Sequence, residues 1–339
     1  MNNVAITGIG LEIPGIDGGR SILDALQERL IPSPFCPVDK IGSKGLRYKD
    51  RATQLGLCAA RAALLDARLA IAAKEQASPD TFGVIVSSNL GNIDTVCRVV
   101  ETLRRAHIKE TSALDLPNAS SNVVASTIAI WFGCRAINLT LCSGSTSGTD
   151  ALYVAATAIR SGRADRMLVV GVEPSNPWVA KLMEESLPEG RDKPVLQCHD
   201  VSGAVVLESA TTARNRGVDP YGYVGRYSYD SADEKNAWRR FADGGFTVSL
   251  WLIPGGLDSG DTTGFVRGAL SEIGGSLPTC LDIGFALGET YGAMGVLQAV
   301  VACQWLKKRG GIAVATSGGS WGDNIASISI HGSKVDGPT

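Results

Sequence analysis

Short apolar runs bounded by glycine recur along the chain and are typical of strands buried on both faces. Between these runs, apolar residues recur at helical spacing. Because predicted strands and helices alternate, the pattern indicates an α/β fold built in layers. The predicted strands lie at 3–9, 82–87, 136–141, 166–172, 203–207, 247–252, 311–315 and 325–330, and the predicted helices at 52–67, 93–106, 145–160, 263–273 and 291–308.

The order of predicted elements up to about residue 174 recurs in shorter form in the rest of the chain. We therefore predict two similar halves, 1–174 and 175–339, packed against each other. The segment 174–200 carries proline, glycine and charged residues. Such a composition is typical of a connection that crosses the protein surface.

The charge balance argues against a nucleic-acid partner. The 32 Lys and Arg residues nearly cancel the 34 Asp and Glu residues, so no domain-wide positive field attracts a phosphate backbone. A basic run at 307–309 closes a predicted helix. It is either a solvated helix end, where cations favour the helix dipole, or a dock for an acidic carrier protein, and the sequence leaves both open.

The eight cysteines are spread singly, without a CxxC pair or a histidine spacing typical of a metal site. We therefore expect neither a metal nor a cofactor. The chain enters its first predicted strand, VAITG at 4–8, without a basic and apolar leader, and no later apolar run is long enough to cross a bilayer. These observations predict a cytoplasmic protein without membrane contact.

The segment with the most chemical content is the predicted strand that runs into Cys142. Residues 136–152 read AINLTLCSGSTSGTDAL, so a buried strand leads through Cys-Ser-Gly into a helix. At such a turn the thiol faces a helix N-terminus, whose positive end and free N–H groups favour a thiolate and a developing oxyanion. Cys142 is therefore a candidate acyl acceptor. A lone cysteine without this context would instead be a small core residue.

Segments on both sides of this turn share their order with a known family, and together they resemble the β-ketoacyl synthases, condensing enzymes of the thiolase fold. The resemblance implies a thiolase-like fold in which two similar halves form an α-β-α-β-α layered core. The N-terminal half then carries the Cys142 turn, and the C-terminal half carries a Gly-rich closing loop. The segments are VAITGIG at 4–10, RYKDRATQ at 47–54, PNASSNVVA at 117–125, DRMLVVGVE at 165–173, SGAVVLE at 202–208, GETYGAMG at 288–295 and TSGGSWGDN at 316–324.

The sequence departs from the family at its catalytic histidines. The resemblance implies that a cysteine holds the acyl chain while two histidines polarise the malonyl thioester and stabilise the enolate. Here Pro254 stands at the first histidine position, Glu289 at the second, and Gly284 at that of a nearby lysine. A proline side chain has no hydrogen-bonding group, and an ionised Glu289 would repel a thiolate, although a protonated one could donate a hydrogen bond. We therefore predict that this chain does not carry out condensation by itself.

Replacement bases are scarce, because the chain has only three histidines. His107 and His331 are expected to be structural or solvated. His199 precedes a predicted strand that in the family passes near the active-site entrance, so it is a candidate base, although a locally bonded loop residue is the alternative. The closing loop also lacks the family's gating phenylalanine, with Gly318 and Ser320 at the two aromatic positions.

Three functions are compatible with this pattern. The leading hypothesis is a chain-length-factor-like subunit of a type II polyketide or fatty-acid synthase that pairs with a complete ketosynthase as a heterodimer, or with itself as a homodimer, receives acyl carrier protein and shapes the acyl tunnel. The second is an acyltransferase that loads Cys142 from a carrier-protein or coenzyme A thioester, with Glu289 or His199 as base. The third is a structural remnant in which Cys142 is inert.

Overall fold

A computed structural model describes residues 3–16, 22–25, 34–69, 80–106, 108–185, 199–230, 247–253, 278–318 and 324–333. The strands are β1 (Val4–Glu12), β2 (Phe82–Ser87), β3 (Asn138–Leu141), β4 (Arg166–Glu173), β5 (Val201–Ser209), β6 (Gly222–Asp230), β7 (Leu250–Ile253), β8 (Thr279–Asp282), β9 (Ile312–Gly318) and β10 (Ile325–Gly332). The helices are α1 (Ile22–Ala25), α2 (Pro37–Ile41), α3 (Arg51–Asp66), α4 (Ile93–Arg105), α5 (Val123–Phe132), α6 (Ser147–Arg160), α7 (Pro177–Glu185), α8 (Ala210–Asn215), α9 (Gly284–Leu287) and α10 (Met294–Arg309).

The described strands form one sheet in the order β3-β2-β4-β5-β1-β6-β10-β9-β7-β8. β2 lies parallel to β3 and β4, and β7 lies parallel to β8 and β9, while the other pairs are antiparallel. Outward from β1 the order is β1-β5-β4-β2-β3, and outward from β6 it is β6-β10-β9-β7-β8. The two orders are the same when β6 to β10 are taken as the counterparts of β1 to β5. The predicted division at residue 174 falls between β4 and β5 and stays a prediction.

Helices α6 and α10 lie between the two parts of this sheet. Each of them contacts strands of both parts, including β4 and β9. Alternate residues of β4 divide between two cores, with Met167 and Val169 facing the α6 and α10 side and Leu168 and Val170 facing the α3 and α5 side. This alternation is what a strand buried on both faces requires. The fold therefore stacks outer helices, sheet, central helices and sheet in that order.

The two central helices cross in backbone contact near their first turns. A Cβ atom added at Gly148 would lie 2.8 Å from the Gly295 nitrogen and 2.9 Å from the Val296 nitrogen. A Cβ added at Gly295 would lie 2.3 Å from the Thr149 nitrogen. Because backbone atoms cannot move aside as a side chain can, glycine at both positions sets how closely the two helices approach.

We expect Gly148→Ala to destabilise the protein by about 2 kcal/mol, because the added methyl group forces the two helix backbones apart. Urea unfolding followed by circular dichroism measures this loss. Thr157→Ala is the matched control, since Thr157 lies on the exposed face of the same helix and its replacement by alanine should leave stability almost unchanged. Equal stabilities of Gly148→Ala and the wild type would contradict the proposed close packing.

Several elements were not predicted from the sequence. Helix α7 lies in the segment that was predicted to be a surface connection, and its first turn is capped by Asn176, whose Oδ1 accepts from the N–H groups of Trp178 and Val179 at 3.0 Å. Helix α5 and strands β6 and β8 were also missed. The helix predicted at 263–273 lies outside the described residues. None of the described helices combines the length and apolarity needed to span a bilayer.

Candidate functional site

Cys142 follows the last residue of β3 and is exposed at the end of the sheet. The register sets Leu141 beside Ser87 of β2, and Ser87 beside Gly171 of β4. The chain segments that leave these parallel strands therefore meet at one edge. There the Cys142 thiol donates a hydrogen bond to the carbonyl oxygen of Ser88, with 3.1 Å between sulfur and oxygen.

The turn after Cys142 is fixed by side chains that bind its backbone. Asn89 binds Gly144 through both amide atoms, since its Oδ1 accepts from the Gly144 N–H at 3.1 Å and its Nδ2 donates to the Gly144 carbonyl at 2.9 Å. The hydroxyl of Ser147 accepts from the Ser143 N–H at 2.7 Å. Among the described residues, the N–H of Cys142 has no hydrogen-bond acceptor. It is therefore the one N–H of the Cys-Ser-Gly segment that is open to an oxyanion.

Asp150 ties the same turn to the second part of the sheet. Its carboxylate accepts from the hydroxyls of Ser143 and Thr146, the latter at 2.8 Å. It also accepts from the hydroxyl of Tyr227 on β6 at 2.7 Å, and the Tyr227 ring stacks on Tyr153 with centroids 4.1 Å apart. The position of the Cys142 turn thus depends on both halves of the chain.

A buried carboxylate, Glu173, lies beneath this turn at the end of β4. Only 4% of Glu173 is exposed. It accepts from the N–H groups of Asn89 at 2.7 Å and Leu90 at 3.0 Å, and from the N–H of Gly292 at 3.2 Å. The Ser88 hydroxyl lies 3.4 Å from its Oε2 atom. Burial outweighs these hydrogen bonds and raises the pKa of Glu173 to about 7.

The surroundings of Cys142 do not favour the predicted thiolate, which stays a prediction. Although the residue is exposed, its sulfur is partly desolvated, and this desolvation, followed by the negative charge of Glu173, raises the pKa of the Cys142 thiol above its ordinary value. A 3₁₀ turn at Gly144–Thr146 separates Cys142 from α6, which begins only at Ser147. Since the field of a helix end falls off within about one turn, α6 does little to stabilise the anion. The N–H groups of Ser143 and Gly144 are also occupied, as described above.

Glu289, at the position of the second family histidine, supports the backbone of a neighbouring turn. Its Oε1 accepts from the N–H of Tyr291 at 2.7 Å. Tyr291 has a φ of 39°, a left-handed conformation that is uncommon for a large side chain. The next residue is Gly292, whose N–H holds Glu173. The structure therefore brings the segment of Glu289 to the carboxylate beneath Cys142.

His199 lies at the opposite side of this edge from Cys142. It precedes β5, and three inter-strand spacings separate β5 from β3, which is about 14 Å of backbone separation. Burial lowers the pKa of His199, while the charge of Asp200 raises it. Its buried Nε2 has no hydrogen-bond partner among the described residues. The structure does not bring His199 into hydrogen-bonding range of the thiol.

The remaining candidates are either structural or outside the described residues. His331 is buried in β10, with its Nε2 3.2 Å from the Ser329 hydroxyl, whereas His107, Pro254 and Ser320 are not described. In the exposed basic run, Lys307 lies 4.7 Å from the ring centre of Tyr221 and Arg309 lies 5.5 Å from that of Trp305. These contacts within the chain favour the interpretation as a helix end and not as a docking site for a carrier protein. Within the described ranges, no group of three His, Cys, Asp or Glu residues is placed to bind a metal.

The chain matches one family profile in the part that contains β2, β3, β4 and the Cys142 turn. The profile is that of the β-ketoacyl synthase N-terminal domain, and it matches residues 34–194. The matched part is a β-ketoacyl synthase N-terminal domain. This confirms the resemblance drawn from the sequence motifs.

Two curated enzymes are similar to part of this chain. It is 25% identical over 205 residues to 3-oxoacyl-[acyl-carrier-protein] synthase 2 of Staphylococcus aureus, covering 56% of this chain and 50% of that protein. It is also 25% identical over 199 residues to the enzyme of the same name from Vibrio cholerae, covering 54% and 47%. The matched region thus spans about half the length of these relatives.

Solved structures of β-ketoacyl synthases share the fold over nearly the whole chain. A chain of the AntDE:AntF complex, a type II polyketide synthase acyl-carrier protein with its ketosynthase, has a TM-score of 0.82 at 19% identity and covers 98% of this chain and 99% of that one. A chain of the ishigamide ketosynthase/chain length factor has a TM-score of 0.76 at 20% identity, covering 97% and 99%. The likeness confirms the predicted thiolase-like α/β fold.

Sequence reasoning missed Glu173, Asn89 and Asp150 in this β-ketoacyl synthase site. Glu173 stood in a quoted motif as the last residue of a strand, and a carboxylate at the end of a buried strand is a signal for a site. Asn89 and Asp150 gave no comparable signal, because their roles depend on tertiary contacts with Gly144 and Tyr227.

Proposed function

We propose that this chain is a chain-length-factor-like subunit of a type II polyketide or fatty-acid synthase. It pairs with a complete ketosynthase, helps to shape the acyl tunnel and does not condense by itself. The carrying observation is the chemistry around Cys142. Desolvation and the nearby buried carboxylate of Glu173 raise the pKa of the Cys142 thiol, and none of the described residues places an imidazole in hydrogen-bonding contact with the sulfur. Enolate chemistry needs groups that stabilise negative charge, and a carboxylate does the opposite.

An exposed strand edge supports the pairing. Among the described strands, β3 is the last one on its side of the sheet, so one row of its backbone N–H and C=O groups has no described strand partner. Such an edge favours strand addition. Its first two residues, Asn138 and Leu139, are exposed. The neighbouring helix α5 presents Ile130 with 83% of its surface exposed.

The apolar surface continues from α5 along the chain to α4. α5 contacts the 3₁₀ turn Leu116–Ala119, and that turn contacts α4. On α4, Val96, Val100 and Leu103 are exposed at helical spacing. We call the surface formed by β3, α5, this turn and α4 the edge surface. Exposed apolar residues on neighbouring elements are typical of a protein interface.

Two partners follow from this proposal. The first is a complete ketosynthase, because the similar solved structures include a ketosynthase/chain length factor; a second copy of this chain is the alternative occupant. The other is the acyl carrier protein, since a similar ketosynthase is bound to one. No nucleic acid, membrane or cofactor enters the proposal.

A specific pair of observations favours the second candidate function, an acyltransferase that uses Cys142. The residue is exposed, and its N–H has no acceptor among the described residues. An acyl-transfer site needs an accessible sulfur and an oxyanion donor, but no enolate stabilisation. This candidate differs from the first in requiring turnover by the isolated chain.

We expect the isolated protein to form no β-ketoacyl product from acyl and malonyl carrier-protein thioesters, because none of the described residues places an imidazole beside Cys142 to stabilise an enolate. Product analysis by mass spectrometry, with and without an added complete ketosynthase, measures this. Intact-mass and peptide analysis of the wild type and Cys142→Ala reports any acyl adduct on the sulfur. Condensation by the isolated chain contradicts the first candidate, whereas turnover of a Cys142 adduct to an alcohol, amine or water supports the acyltransferase.

A further inference from the structure

Glu173 links three parts of the site that surround Cys142. Its carboxylate accepts hydrogen bonds from N–H groups of the segment after β2 and of the turn at Tyr291–Ala293. The same segment supplies the Ser88 carbonyl that accepts the thiol hydrogen and the Asn89 amide that binds Gly144. One buried side chain therefore sets the geometry of both the acceptor and the turn that hold the sulfur.

The site leaves no room to move this carboxylate away. A Cβ added at Gly292 would lie 2.6 Å from the Glu173 Oε1 and 2.3 Å from the Asn89 Nδ2. A Cβ added at Gly171, two residues earlier on β4, would lie 3.1 Å from the Cα of Ala293. The turn therefore packs closely against the carboxylate. An ionised Glu173 keeps its charge near the sulfur.

We propose that Glu173 is a positioning residue that keeps the Cys142 thiol protonated and bonded to the Ser88 carbonyl, and thereby restrains the reactivity of the sulfur. A thiol that donates to a backbone carbonyl above a negative charge loses its proton less readily than a free one. This proposal rests on the proposed function in that it concerns the same Cys142 sulfur that the acyltransferase candidate would acylate. Its test uses alkylation, which needs neither an acyl donor nor a partner, so either idea can fail without the other.

The ionisable groups around Glu173 define the pH range of the effect. Cys142 is the group whose pKa the charge of Glu173 raises. Glu289 lies in the segment that leads to Gly292. Asp200 and His199 are the other ionisable residues near the end of β4, where Asp200 accepts from the N–H of Ser175 at 2.8 Å. Because burial raises the pKa of Glu173 to about 7, its charge appears as the pH rises through neutrality. The restraint on Cys142 is then weak below that range and full above it.

The test follows the alkylation rate of Cys142 by iodoacetamide between pH 6 and 9, quantified by peptide mass spectrometry, with exposed Cys36 as the internal reference thiol. In the wild type, the logarithm of the rate should rise with pH, flatten near neutrality and rise again. In Glu173→Gln it should rise without the flattening, and at pH 8 the rate should exceed that of the wild type by about three- to ten-fold, since a lower pKa also makes a thiolate less nucleophilic.

A matched variant separates charge from loop geometry. Asn92→Ala removes the amide that donates to the Ala119 carbonyl at 2.7 Å, which loosens the same segment but leaves Glu173 and its hydrogen bonds in place, so its Cys142 should react as slowly as the wild type. Equal acceleration in both variants overturns the proposal, because loosening of the loop would then explain it. If Glu173→Gln does not fold, the wild-type profile alone decides, and a straight rise with pH overturns the proposal.

Discussion

Replacing Ile130 with glutamate is expected to weaken assembly with the proposed ketosynthase partner by at least about 100-fold, which corresponds to about 2.8 kcal/mol. Ile130 is the most exposed large apolar residue of the described chain, at 83%, and it lies on α5 beside the edge strand β3. A charge buried there in an apolar interface would have no partner, and its desolvation is not repaid. Pull-down from co-expressing cells and sedimentation of the purified complex measure the loss.

Leu65→Glu is the control for this variant, because Leu65 is a half-exposed residue on α3, outside the edge surface. It should assemble like the wild type. Leu139→Lys tests the same surface at the strand itself, and a lysine on an edge strand opposes strand pairing. If Ile130→Glu and Leu139→Lys both fold and still co-purify with the ketosynthase at wild-type stoichiometry, the edge surface is not the interface.

Replacing Arg216 with alanine is expected to lower the free energy of unfolding by about 3 kcal/mol. Glu208 on β5 is fully buried, and Arg216 binds both of its carboxylate oxygens, at 2.8 Å and 3.1 Å. Without Arg216 the carboxylate keeps the Thr7 hydroxyl at 3.2 Å and the more distant Arg166 at 3.6 Å. This is too little to offset the burial of its charge.

The measurement is a urea titration at pH 7 with circular dichroism as the signal. Arg214→Ala provides the comparison, since Arg214 is an exposed arginine on α8 and its loss should change stability by no more than about 0.5 kcal/mol. Similar midpoints for Arg216→Ala and Arg214→Ala would mean that Glu208 does not depend on its bidentate partner.

The sequence predicted the buried strands of the fold well and the half-exposed elements poorly. β4 and β5 are covered on both faces, so their uninterrupted apolar runs stand out. β6 alternates between buried and exposed residues and carries two glycines and three tyrosines, so its pattern is weak. β8 has only four residues. For such elements, the tertiary neighbours decide the conformation more than the local pattern does.

The candidate site was predictable only where its residues lie on one stretch of chain. The strand-to-helix turn at Cys142 follows from local sequence, and the structure confirms it. The raised pKa of the thiol does not, because it depends on desolvation and on the charge of Glu173, which is 31 residues away in sequence and reaches the site through strand pairing. Likewise, no spacing rule relates Tyr227 to Asp150 or His199 to Cys142.

The Cys142 thiol lies at the end of the edge strand, because Cys142 directly follows Leu141 of β3. A strand from another molecule aligned along β3 would run about 4.8 Å away and would border the sulfur. Solvent and small reagents would then reach the thiol less easily in the complex than in the free subunit. Thiol protection by the added ketosynthase would accordingly report subunit association without any turnover.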